Sequence, residues 1–91
     1  MKSLPEGVAP YARTATFSTR SIPEKLRKSH STKAGTWAKI VILEGTLRYR
    51  ILEPEIREFE LSPDHPGVVE PEVSHEVEVM GDVRFYVEFY R

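Results

Sequence analysis

A chain of 91 residues with 40% hydrophobic content and a single tryptophan has room for one hydrophobic core, so residues 1–91 are expected to form one domain. The absence of cysteine excludes a disulfide framework, thiolate chemistry and Cys-type zinc sites, and is compatible with a reducing cytoplasm. No apolar run approaches membrane-span length and Met1-Lys-Ser-Leu-Pro-Glu6 lacks the apolar centre of a signal peptide, so a soluble, cytoplasmic protein with no membrane partner is expected.

The net charge of −1 conceals an asymmetry. Residues 1–39 hold eight Lys/Arg against two Glu, a net +6, while residues 40–91 hold five Arg against twelve Asp/Glu, a net −7. Arg20, Lys25, Arg27, Lys28 and Lys33 could form a basic face, but no glycine or aromatic residue interleaves them to stack bases, which argues against a nucleic-acid partner. Attraction between the two halves is the simpler reading.

Residues 1–12 contain two prolines and little periodicity and are expected to run extended along the surface or a partner. Thr14-Ala-Thr-Phe-Ser-Thr19 alternates weakly and suggests a short edge strand. Ser21-Ile-Pro-Glu-Lys-Leu26 could begin a helical turn, but no stripe follows, so a loop is expected. Trp37-Ala-Lys-Ile-Val-Ile-Leu43 is a dense apolar run that predicts a strand covered on both faces. After a turn or sharp bend at Glu44-Gly45, Thr46-Leu-Arg-Tyr-Arg-Ile51 alternates with Leu47, Tyr49 and Ile51 on one face. Ile56 to Leu61 predicts another strand, and Pro63-Asp-His-Pro-Gly67 a turn in which His65 faces solvent. In the next strand Val73, Val77 and Val79 alternate with Glu76 and Glu78, which sends His75 to the buried face. A turn at Met80-Gly-Asp82 precedes a last strand with Val83, Phe85, Val87 and Phe89 inward, and Trp37, Tyr49, Phe59, Phe85 and Phe89 are expected to line the core.

Six or seven short strands without an amphipathic helix predict an all-β fold, a small antiparallel sandwich or barrel. The order of His30, a strand ending at Glu44-Gly45, a Pro/Gly turn and an inward His75 resembles the cupins, small jelly-roll barrels. The runs His30-Ser-Thr-Lys-Ala-Gly-Thr-Trp-Ala-Lys-Ile40, Leu43-Glu-Gly-Thr-Leu-Arg-Tyr49, Val69-Glu-Pro-Glu-Val-Ser-His-Glu-Val77 and Phe89-Tyr90 resemble the small cupin-like family of tellurite-resistance protein B, over nearly the whole chain. That family occurs alone or before a methyltransferase domain. No Gly-rich nucleotide turn is present in these residues, so methyl transfer is not carried over.

The chain departs from the general cupin pattern where metal ligands are concerned. A first cupin motif supplies two histidines and a glutamate, but Ala38 stands seven residues before Gly45 and only His30 and Lys33 lie upstream. What remains is His30 and His75, expected to converge and to ligate one divalent metal, zinc or iron, with Glu70 or Glu72 as the third ligand. Strict alternation would turn Glu72 away from His75, but Pro71 interrupts it, so the two acids stay equal candidates. Lys33 is the candidate for holding an anionic ligand or for neutralising the glutamates.

Three functions are consistent with these residues. One is a metal-binding cupin for a small molecule or oxyanion, which the resemblance connects to tellurite or stress response. The others are a metal-dependent enzyme, a dioxygenase or isomerase, and a metal-free binding or interaction module. The exposed sheet edges of so small a sandwich further suggest a homodimer.

Overall fold

The computed structural model describes residues 1–91 and is all-β, with every strand pairing antiparallel. The strands are β1 (Pro10–Arg13), β2 (Phe17–Ser18), β3 (Trp37–Ile51), β4 (Arg57–Leu61), β5 (Gly67–Val69) and β6 (His75–Tyr90). They form one sheet in the order β1-β6-β3-β4, with β2 added to β6 and β5 to β3. A single 3-10 turn, Glu24–Arg27, stands where the sequence suggested only a loop. The extended amino-terminal segment finds its partner within the chain, since Pro10 and Arg13 pair with Tyr90 and Glu88.

The expected breaks at Glu44-Gly45 and Met80-Gly-Asp82 do not end strands. β3 and β6 run through both and pair along their whole length as a two-stranded ribbon, which bends instead of stopping. The register carries the reason. Ile42 faces Phe85 and Glu44 faces Arg84, so Leu43 is an extra residue on β3; next, Gly45 faces Val83 and Leu47 faces Val79, which sets Met80, Gly81 and Asp82 against Thr46 alone and leaves β6 two residues in excess. One inserted residue flips the side-chain period of two. The buried positions of β3 accordingly change from even numbers (Ala38, Ile40, Ile42) to odd ones (Leu47, Tyr49, Ile51), while β6 keeps His75, Val77, Val83, Phe85 and Val87 inward throughout.

The bend folds the ribbon over one core. Ile40 and Tyr49, nine residues apart on β3, would lie about 30 Å apart in a straight strand. Yet a Cβ built on Gly67 would meet Leu61 Cδ1 at 2.8 Å, Tyr49 Cδ2 at 3.3 Å and Ile40 Cδ1 at 3.4 Å, so both halves of β3 converge on the same buried glycine. Thirteen buried residues form one hydrophobic cluster there, with Phe17, Leu26, Phe59, Val73, Val79 and Phe89 packed against it. Trp37, expected in the core, is half-buried at the start of β3 and outside that cluster. The run 37–43 is also not covered on both faces, because Ala38, Ile40 and Ile42 are buried and the residues between them are not.

Only one of the eight ion pairs, Lys2–Glu70, joins the basic and acidic halves of the sequence. The acidic half neutralises itself through a cross-strand ladder on the outer face, where Arg48 and Arg50 meet Glu58, Glu76 and Glu78. Hydrogen bonds from Arg50 and Arg48 hold the Glu78 carboxyl below its ordinary range.

Gly45 has φ of +81°, and a Cβ there would sit 2.1 Å from the carbonyl oxygen of Asp82. Gly35 has φ of +77° with open space around it. Gly35→Ala is therefore expected to cost about 1 kcal/mol from backbone strain alone, and Gly45→Ala about 3 kcal/mol because the facing strand must also move. Urea unfolding of both variants checks this, and equal costs would show that the bend accommodates a side chain.

Candidate functional site

His75 opens β6 opposite Ile51 and is 4% exposed. The segment leading to β3 lies against it through a reciprocal pair of main-chain hydrogen bonds, with His30 N–H donating to His75 O at 3.0 Å and His75 N–H to His30 O at 2.8 Å. Directly paired residues on an antiparallel ladder project to the same face. The two imidazole centroids accordingly lie 4.1 Å apart with their planes at 56°.

Each ring is oriented by its own backbone. His30 Nδ1 is 3.0 Å from the carbonyl oxygen of Lys28, and His75 Nδ1 is 3.0 Å from that of Val73. A carbonyl oxygen only accepts, so Nδ1 is the protonated nitrogen in both rings and Nε2 is left with a lone pair whenever the ring is neutral. Neither Nε2 bonds to protein, and no hydrogen bond links the rings to each other. Tyr49 packs its ring edge-on to His75 at 5.8 Å and donates its hydroxyl to Val68 O at 3.0 Å. Burial, aided by the charge of Glu70, pushes the Tyr49 phenol far above its ordinary value, so it stays protonated.

The histidine pair forms part of the wall of a cavity of about 500 Å³, enclosed by the concave face of the sheet and the segment between Pro23 and Thr36. Phe17, Leu26, Ile40, Val69, Phe85 and Val87 supply apolar wall, and Phe17 meets Phe85 edge-on at 5.7 Å. Lys25 and Lys33, both exposed, also line it.

Neither carboxylate expected as third ligand joins the histidines in a metal-binding group. Glu70 pairs with Lys2 at 3.1 Å, a contact that sequence spacing gave no reason to foresee. Glu72 is exposed at the tip of a turn with φ of +65°, its N–H donating to Thr32 O at 3.1 Å. No three His, Asp or Glu side chains come together anywhere in the chain as a metal-binding group. His65 is exposed in the tight turn closed by Ser62 and stands apart from the cavity.

Comparison with known proteins places this arrangement. The TehB-like domain matches residues 12–87, a stretch that contains both histidines and most of the cavity wall. The chain belongs to the TehB-like domain family. It is 32% identical over 76 residues to a probable S-adenosyl-L-methionine-dependent methyltransferase TehB of Haemophilus influenzae strain Rd, and 29% identical over 76 residues to the protein of the same description from strain 10810. Those matches cover 79% of this chain and 27% of each relative, so the chain spans about a quarter of the length of the curated relatives it matches. The crystal structure of TehB from Haemophilus influenzae superposes with a TM-score of 0.85 at 29% identity, covering 93% of this chain and 32% of that one. A crystal structure of a protein from Escherichia coli K12 has a TM-score of 0.89 at 19% identity and covers 100% of this chain and 97% of its own, a likeness of fold alone.

Within this TehB-like domain, the sequence singled out the histidines, Lys33 and the inward strand residues Val77, Phe85, Val87 and Phe89, but not the rest of the cavity wall. Lys25 read only as part of a basic face, and Phe17 only as a residue of a weak edge strand. Both line the wall because the Thr14–Thr36 region wraps back over β6, a long-range placement without a local signature.

Burial, opposed by the hydrogen bond to Val73 O and reinforced by the neighbouring His30, pushes His75 down to about 4 from 6.5. The unfolded chain therefore binds a proton between these values that the folded chain refuses. The contribution of neutral His75 is fully present above pH 6.5 and is lost as pH falls towards 4, about 3 kcal/mol in all. His75→Gln is expected to lack this component, so chemical denaturation at pH 7 and pH 4 should show the parent losing about 3 kcal/mol more than the variant. An equal loss in both would mean that His75 is not held neutral by the fold.

Proposed function

We propose that this domain is a small-molecule-binding module whose ligand occupies the cavity beside His30 and His75. The observation that supports the reading is the combination in one concave site of apolar wall with two imidazoles whose Nε2 atoms have no protein partner. Ligand sites are commonly such apolar hollows with a few convergent polar groups. The name TehB and the family resemblance put tellurite or a related stress response forward as the setting. Methyl transfer belongs to the description of the longer relatives, of which this region is about a quarter, and binding is the contribution proposed for it here.

A second reading, one divalent ion of zinc or iron on His30 and His75, is favoured by a specific feature. Metal-ligating histidines characteristically donate their other ring N–H to a backbone carbonyl or carboxylate, as both rings here do. The donor set fits the metal only in part, because two imidazoles come from the chain and no carboxylate joins them. A bound ion would supply Lewis acidity, and its remaining positions would fall to water or to the ligand. The dioxygenase and isomerase readings depend on such an ion; cytoplasmic location and a homodimer complete the proposal.

The three histidines make the test internal. On addition of p-cresol, the imidazole proton resonances of His30 and His75 are expected to shift together and saturably, while those of exposed His65 stay still. Zinc is expected to perturb the same pair and to raise the melting temperature, by an amount equal to about 2.7 kcal/mol at a hundredfold excess over its dissociation constant. His30→Ala and His75→Ala should each abolish the zinc effect. If p-cresol moves all three histidines alike, or neither it nor a charged analogue moves His30 and His75, the binding reading fails; if zinc leaves the parent unchanged, the metal reading fails alone.

A further inference from the structure

The chemistry of the cavity wall narrows the class of molecule it takes. Of the twenty residues that line it, two are lysines and none is Asp or Glu. Lys25 and Lys33 form no ion pair, in common with Lys39 and five of the arginines, so what distinguishes them is their place on a wall without an acid. A cleft carrying charge of one sign over low-dielectric walls concentrates ions of the other sign. The lysines are exposed, whereas His75 is buried, so the cationic groups stand at the solvent side of the cavity and the imidazoles deeper in it.

The deeper end has a different requirement. Both Nδ1 atoms donate to main-chain carbonyls, which leaves two Nε2 lone pairs on rings 4.1 Å apart. The pair therefore calls for a hydrogen-bond donor from the ligand. Between the two ends the wall is aromatic and aliphatic, with Phe17 and Phe85 in edge contact.

We infer that the ligand is a small organic anion with an apolar body, its negative group facing Lys25 and Lys33 and a hydroxyl or N–H at its other end donating to His30 and His75. This rests on the small-molecule reading of the same cavity and adds polarity and direction to it. A hydroxylated aromatic carboxylate is the simplest member of the class. Neither a cation nor a bare inorganic oxyanion satisfies all three parts of the wall.

Four probes separate the components: 4-hydroxyphenylacetate has body, anion and donor; phenylacetate lacks the donor; tyramine replaces the anion by a cation; p-cresol has no charged end. Affinities are read from the His30 and His75 imidazole shifts, with a chelator present so that no metal intervenes. 4-Hydroxyphenylacetate is expected to bind tightest, about tenfold or more above tyramine and about fivefold above phenylacetate. Exchanging both exposed lysines (Lys25→Ala with Lys33→Ala) should erase the preference of 4-hydroxyphenylacetate over tyramine. His30→Ala should bring 4-hydroxyphenylacetate and phenylacetate level. If p-cresol binds the cavity but tyramine equals or exceeds 4-hydroxyphenylacetate, or the lysine substitutions leave their ratio intact, the anion assignment is overturned while the cavity reading stands. If phenylacetate equals its hydroxylated form in the parent, the donor assignment is overturned. Failure of p-cresol and of all three other probes to move either histidine would remove both the inference and the function it rests on.

Discussion

A single inserted residue governs this structure. Leu43 has no counterpart on β6, and the shift it imposes turns the buried face of β3 over between Ile42 and Leu47. Without that flip, a 15-residue strand would keep residues of one parity on its buried face along its whole length. With it, both ends of β3 point side chains into the same interior, and the ribbon closes over Gly67. The close approach of Gly45 to the Asp82 carbonyl is the steric condition for the bend, and β4 and β5 then pair with opposite ends of the same strand.

The cavity is a consequence of that closure, and the histidine pair is placed in it by backbone geometry. His30 reaches His75 because their peptide groups exchange two hydrogen bonds, and the ring orientations follow from Nδ1 contacts two residues back along each segment. Side-chain packing plays a smaller part, with Tyr49 supporting one edge of His75. An arrangement held mainly by main-chain atoms tolerates variation in the surrounding wall while keeping the two lone pairs in place.

These origins explain what could be seen in advance. The inward direction of His75, Val77, Val83, Phe85 and Val87 was legible because β6 keeps one parity for its entire length. The all-β class was legible for the same reason. β3 was legible only in halves: the shared face of Leu47, Tyr49 and Ile51 could be read, but not the continuity of the strand, since a bulge reverses its parity and a glycine with positive φ inside a strand looks the same in sequence as one that ends it. The charge asymmetry was real, but its meaning lay in which lysines reach the cavity wall, and that depends on how segments far apart in sequence come together. Glu70 is close to His75 in sequence, whereas its partner Lys2 lies 68 residues earlier and carries no local signal.

The segment between Pro23 and Thr36 closes one side of the cavity with little buried surface of its own. His30 holds it to β6 through the two exchanged peptide hydrogen bonds, and Thr32 holds it to the turn at Glu72. Segments with few buried contacts open at free energies well below that of global unfolding. Because His30 belongs to the strap while His75 belongs to the sheet, lifting the strap separates the imidazoles in the same motion that uncovers the cavity. Access and the integrity of the pair are thus one conformational coordinate, and amide hydrogen exchange at His30 and His75 reports its position directly.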